Sequence, residues 1–212
     1  MPLPLPDPPL LVISDRSQAQ LPLKEVALAA FEGGCRWFSV REKDLSAPEH
    51  FLLLRYIGVV GTRYKATVTM HGDIIPQAMT RARGMHLPSG GDIAAMRTRV
   101  PPDWLVGASA HSAAEAASLI AAGADYVTIS PVFLTASKPG YGPALGLDGL
   151  ARMVMAAPGP VLALGGVTPD KAALCRAAGA GGIAVMGEVM RADDPRATVA
   201  QLIRAFSAKS GA

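Results

Sequence analysis

The chain offers little for covalent stapling: of 212 residues only two are cysteines, Cys35 and Cys175. Both sit in apolar contexts. That predicts buried free thiols in a reducing, cytoplasmic compartment and not a disulfide framework. Aromatic residues make up 5% and no basic run is interleaved with them, so nucleic acid is not an expected partner. No apolar run approaches the roughly 18–20 residues of a membrane span, and no membrane partner is expected. Charge is sparse as well: charged residues are 17% and the net charge is +3. The modest positive excess suits either an anionic small molecule or plain solvated surface. HExxH or other metal-ligand histidine spacing is missing, which argues against a zinc site. No G-x-S-x-G elbow is present, and no G-x-G-x-x-G follows the first strand candidate. The first ten residues hold five prolines and no basic segment. They predict an extended arm over residues 1–9 and not a signal peptide.

What the chain does have is apolar bulk, 50% of residues, and a recurring phrase. A helix-like stretch, a glycine and a short β-rich run appear as AAFEGGCRWFSV, RARGMHL, AAGADYVTIS and AAGAGGIAVM. The glycine suits a left-handed helix stop, and the run after it suits a strand buried on both faces. Eight strand candidates lie near Leu10–Ser14, Trp37–Arg41, Lys65–Thr69, Gly84–Leu87, Trp104–Ala108, Tyr126–Ser130, Val161–Leu164 and Gly182–Met186. Helical patterns separate them, among them Leu23–Glu32, Ser112–Ala122 and Lys171–Ala178. Eight such units in one domain predict a (β/α)8 TIM barrel, with a doubly wound open sheet as the alternative.

In a barrel, chemistry collects where strands run into the loops at their C-terminal ends. Gly165-Gly166 ends the seventh strand candidate and precedes Thr168-Pro169-Asp170, an N-cap followed by proline. A bare glycine turn at a helix start lets backbone amides approach a phosphate; a plain tight turn is the competing explanation. Met186-Gly187 ends the eighth candidate in the same way. Lys138 sits in a polar loop with Thr135 and Ser137, three donors that together suit an anion clamp. Arg41-Glu42-Lys43 ends the second strand candidate and puts charge at the mouth. His111 and His71 follow the fifth and third candidates, where an imidazole can act as general acid–base. His86, inside a strand, and His50, in a helix, are read as structural or surface residues.

Seven collinear motifs carry a resemblance that spans nearly the whole chain: VREKDL, GMHLPSGGD, GASAHSAAEA, ADYVTISPVFLTASK, GLDGL, LALGGVTPD and GIAVMGEV. They resemble the thiamine phosphate synthase/TenI family of (β/α)8 barrels, which act on phosphorylated thiazole and pyrimidine intermediates. The resemblance implies that Arg41, Lys43, Ser109, Thr135, Ser137, Lys138, Gly165, Gly166, Met186 and Gly187 bind the ligand and its phosphate. It implies His111 as the proton-transfer group, and a homodimer; His71 departs from the branch pattern, which has asparagine there, and is read as either a second catalytic proton-transfer group or a polar substitute. Two activities are known in the family. The synthase couples hydroxymethylpyrimidine pyrophosphate to thiazole phosphate with Mg²⁺; the TenI-type tautomerase aromatises a thiazole carboxylate phosphate without a metal or other cofactor. The synthase pattern places glutamine where this chain has Ser39 and an Asn-Asp pair where it has His71-Gly72. Its second metal aspartate is met only by Asp92, one place beyond. On these residues the expected activity is the tautomerase, with the synthase (its metal on Asp92 or Asp73) and a non-catalytic phosphate-ligand binder as alternatives.

Overall fold

The computed structural model describes residues 2–71, 80–135 and 143–208. Eight strands form: β1 (Leu10–Ile13), β2 (Trp37–Val40), β3 (Thr67–His71), β4 (Gly84–Leu87), β5 (Leu105–Ala110), β6 (Tyr126–Ile129), β7 (Val161–Leu164) and β8 (Gly182–Val185). Each pairs in parallel with the next, and β8 returns to β1 through Leu11↔Ala184, closing the barrel. The open-sheet alternative is thereby excluded, and the barrel expected from the eight-fold pattern is what forms.

Helices α1 (Leu23–Glu32), α2 (Ala47–Arg63), α3 (Ile93–Arg97), α4 (Ala113–Ala121), α5 (Gly146–Ala156), α6 (Pro169–Ala177), α7 (Gly187–Met190) and α8 (Pro195–Ser207) surround it. Local chemistry starts them. Ser46 and Glu49 form a reciprocal capping box on α2, while Ser112 accepts from the Glu115 amide to open α4. Asp92 accepts from the Ala95 amide at 2.9 Å and opens α3. Most of the hydrophobic core lies between barrel and helices, with Phe31, Phe38, Leu54, Ile57 and Ile129 essentially inaccessible. Among the described residues, no helix is long and apolar enough to cross a membrane.

Several boundaries differ from expectation for local reasons. The third strand starts two residues later than expected, because Lys65 adopts a left-handed φ of 54° after α2 and spends those residues turning. Glycines stop helices in left-handed geometry at Gly34, Gly123 and Gly179, as expected. Gly84 does not: the positive φ in that segment belongs to Arg81. Gly84 is small for another reason, since a Cβ there would lie 2.3 Å from the Leu105 carbonyl oxygen on β5.

The proline-rich arm closes the end of the barrel opposite the mouth. Leu3 and Leu5 pack on an inner cluster of Leu11, Ile13, Trp37, Leu105, Tyr126, Leu162 and Ala184. The Leu3 amide donates to Asp125 at 2.7 Å. Asp125 also accepts from Arg97 at 2.5 Å and from the Val106 amide at 2.8 Å, so one buried carboxylate ties arm, α3 and β5 together. Both cysteines are free and buried, and burial pushes the Cys35 thiol up to about 12.

Candidate active site

The strand ends dictate the site. A cavity of about 740 Å³ opens at the C-terminal mouth, within the range of small-molecule pockets. Of the residues expected in the site, Arg41, Lys43, His71, Ser109, His111, Thr135, Gly165, Gly166, Met186 and Gly187 all line it. Ser137 and Lys138 lie outside the described residues, as do Gly72 and Asp73.

One set of lining residues comes from the ends of β7 and β8. Gly165 and Gly166 take φ of 97° and 63°, values that L side chains resist. The tight-turn explanation therefore holds, and close approach adds to it: a Cβ on Gly166 would lie 2.4 Å from the Leu134 carbonyl oxygen. The segment after β6 rests directly on this turn, with the Val132 and Phe133 amides donating to Leu164 and Gly165 at 2.9 Å each. Thr168 is the N-cap of α6, but its hydroxyl donates to Asp170 at 2.5 Å instead of capping the helix. Lys171, one turn into α6, reaches back to the Gly166 carbonyl at 3.4 Å and faces the cavity. It is a cation beside the glycine turn that the sequence motifs did not single out. Glu188 and Arg191 complete this set. Burial holds the Glu188 carboxyl above its usual range.

A second charged set comes from the end of β2. Arg41 and Lys43 flank Glu42, whose carboxylate accepts from the Ser14 hydroxyl at 2.6 Å and the Arg16 amide at 3.1 Å. Burial raises the Glu42 carboxyl, and those hydrogen bonds oppose the rise only in part. Ser14 in turn accepts from the Arg41 amide at 2.8 Å, so Glu42 holds the bend that aims its basic neighbours at the cavity.

Three histidines also line the cavity. His111 follows β5; its Nδ1 lies 3.2 Å from the Ser130 carbonyl, an acceptor, so Nδ1 donates there. Its amide donates to Glu115 at 2.7 Å, and Glu115 also accepts from the Ser89 hydroxyl at 2.5 Å. Burial would raise Glu115, but these bonds outweigh it and hold the carboxyl low. His71 ends β3 opposite His86 of β4, with ring centroids 4.7 Å apart. His86 was expected to be structural or surface. It is 2% exposed, yet it floors the cavity. The reason is register: His86 pairs with His71 and Gly107, and all three point inward. Burial pushes His86 down to about 3, and burial with the nearby His86, Arg41 and Lys43 pushes His71 well below its usual value. Both are neutral at pH 7. His50, on α2, does not line the cavity.

The described residues do not fit a Mg²⁺ site. No three of their His, Cys, Asp or Glu side chains converge as metal ligands. Asp92, a candidate ligand by sequence, is committed to the start of α3 and does not line the cavity. The two carboxylates among the described lining residues, Glu42 and Glu188, follow different strands, β2 and β8. Mg²⁺ takes hard oxygen ligands in near-octahedral geometry, which this arrangement does not supply.

The sequence profile of the thiamine monophosphate synthase family matches residues 10–189, from β1 to α7. The chain belongs to this family. A putative thiamine-phosphate synthase of Geobacter sulfurreducens is 35% identical over 189 residues, 88% of this chain and 89% of that protein. The bifunctional thiamine biosynthesis protein ThiM/ThiE of Symbiobacterium thermophilum is 34% identical over 180 residues, of which this chain spans only 38% of the length. Among solved structures, the thiamine phosphate pyrophosphorylase of Pyrococcus furiosus superposes with a TM-score of 0.83 at 29% identity, covering 93% of this chain and 94% of that one. A 3-hexulose-6-phosphate synthase superposes with a TM-score of 0.63 at 22% identity, a likeness of fold alone. The family resemblance drawn from seven motifs is therefore correct. The relatives' names favour the synthase, the alternative of the two activities, over the tautomerase.

Proposed function

We propose that this barrel is an enzyme of thiamine phosphate formation whose mouth holds a phosphorylated thiazole. The observation that carries this is one cavity lined by two sets of cationic and amide donors, one from the loops after β7 and β8 and one from the end of β2. The Gly165-Gly166 turn, the start of α7 and Lys171 suit a phosphate monoester. Arg41 and Lys43 suit a second anion.

For the reaction, the relatives' names support coupling to hydroxymethylpyrimidine pyrophosphate. The thiazole nitrogen would form a bond to the pyrimidine methylene carbon as the bond to pyrophosphate breaks, and the pyrophosphate leaves with that electron pair. Arg41 and Lys43 would hold the departing charge. Mg²⁺ is the family synthase's usual aid here, and no step is assigned to it because the described residues do not fit it.

A second reading rests on a specific observation. Gly72 stands where the synthase pattern has its metal aspartate, and His111 lines the mouth with its ring oriented by Ser130. A thiazole carboxylate phosphate, with its carboxylate on Arg41, would then be aromatised by proton transfer through His111. No cofactor takes part in that chemistry, because aromatisation itself drives it.

One experiment separates the readings: both substrate sets, each with and without Mg²⁺. Thiamine phosphate from the two precursors supports coupling. Tautomer conversion without metal supports proton transfer. Binding of thiazole phosphate with neither turnover leaves a ligand-binding protein, and no binding at all overturns the substrate assignment.

A further inference from the structure

Beneath the cavity floor runs a chain of hydrogen bonds that no motif assigns. The Tyr126 hydroxyl lies 3.0 Å from His86 Nδ1, and His86 Nε2 lies 3.0 Å from Ser109 Oγ. Thr128 Oγ1 sits 3.4 Å from both His86 Nε2 and Ser109 Oγ. Tyr126 is completely buried, while Ser109 is half-buried and lines the cavity.

Donors and acceptors can be counted. Neutral His86 carries one N–H. If it sits on Nε2, Tyr126 donates to Nδ1, Nε2 donates to Ser109 Oγ, and every buried group is used. If it sits on Nδ1, Tyr126 must accept, and its own O–H has no partner among the described residues. Stranding a buried hydroxyl proton costs about 1–3 kcal/mol, which selects the first arrangement. Ser109 Oγ then accepts from His86 and from Thr128, filling both lone pairs. Its own proton has one direction left, the cavity. Burial supports the count at both ends: it keeps His86 neutral and holds the Tyr126 phenol protonated.

The arrangement is built into the barrel. Tyr126 lies edge-on to Trp37 at 4.6 Å between centroids, and its ring crosses Gly107, where a Cβ would lie 2.2 Å from Cζ. We propose that Tyr126 and His86 are positioning residues that preset the Ser109 hydroxyl as a hydrogen-bond donor to an acceptor atom on the ligand's heterocycle. This rests on the reading of the ligand as a phosphorylated heterocycle. A ring nitrogen with a lone pair is accepted, and one carrying a proton at that place is rejected.

The relay is tested on the full chain in two ways. Nitrogen-15 spectra of histidine-labelled protein at pH 7, with His86→Gln to identify its signals, should show Nε2 protonated and Nδ1 bare. Tyr126→Phe removes the bias and should give a mixture of tautomers. Calorimetric binding of thiazole phosphate should weaken about tenfold in Ser109→Ala, the loss of one hydrogen bond. Tyr126→Phe should weaken it about two- to threefold, the cost of selecting one tautomer from a mixture. In the Ser109→Ala background, Tyr126→Phe should add nothing. A protonated Nδ1 in the unmodified protein overturns the proposal, and so does additive loss in the double variant. If the unmodified protein fails to bind thiazole phosphate, the substrate reading falls, and the nitrogen spectrum still decides the relay.

Discussion

Replacing Gly166 by alanine puts the β7 turn under a quantitative test. Its φ of 63° is left-handed, which costs an L side chain roughly 1–2 kcal/mol. The new Cβ would lie 2.4 Å from the Leu134 carbonyl oxygen and 2.9 Å from Phe133 Cβ. The first is backbone, so the segment after β6 must move, and overpacking of this kind costs about 1–3 kcal/mol. The stiffer unfolded chain returns about 0.4–1 kcal/mol. The net expectation is a loss of about 1–4.5 kcal/mol, centred near 3, or about 2–18 °C in Tm for a chain of this size. Gly90 supplies an internal control. It has a φ of 74° with nothing within 4 Å of its Cβ, so Gly90→Ala should lose only the backbone part, about 1 kcal/mol. Urea unfolding of both variants, with unchanged m-values, gives the comparison. A Gly166→Ala loss below about 0.5 kcal/mol, or one no larger than that of Gly90→Ala, would refute the steric argument.

Three further perturbations address other parts of the molecule. His111→Asn should reduce any tautomerase turnover by about 10²–10⁴-fold while thiazole phosphate still binds, and unchanged turnover in a direct assay would remove His111 from the chemistry. Asp125→Ala takes the acceptor from Arg97 Nη2 and from two backbone amides. It should cost about 3–5 kcal/mol in urea unfolding, and a loss under 1 kcal/mol would contradict the latch at the barrel base. Acid should also weaken the fold through His86. Its pKa is lowered in the folded state to about 3, so its stabilising contribution is complete above the unfolded value near 6.5 and is lost as pH falls towards 3. Between pH 6.5 and 4.5 that one group should remove about 2 kcal/mol, and a urea midpoint independent of pH over that window would count against a neutral, buried His86.

The barrel was legible in the sequence because a strand buried on both faces leaves a continuous apolar run, and glycine punctuates what precedes it. Gly34, Gly123 and Gly179 stop helices in the way that pattern requires. Mouth residues were legible for the same reason, since whatever follows such a run lies at one end of the barrel. His86 was not legible. Inside a four-residue strand, only the register with His71 and Gly107 decides whether its side chain faces the helices or the interior. Lys171 escaped for a related reason: a lysine in the first turn of a helix looks like ordinary surface until the Gly166 carbonyl is found 3.4 Å away. Asp92 shows the reverse error, a carboxylate near the expected metal position that is occupied in starting α3.

Gly107 and Tyr126 occupy one volume between them: the ring fills the space that a side chain on β5 would need. Their histories are therefore linked, and the order of substitution matters. A chain can shrink Tyr126 first and fill position 107 afterwards, but the opposite order passes through an intermediate in which the Tyr126 ring must leave its place. Descendants that keep the phenol inherit glycine opposite it. A lineage that acquires a side chain at 107 must already have given up the tyrosine, and with it whatever ligand preference that hydroxyl enforced.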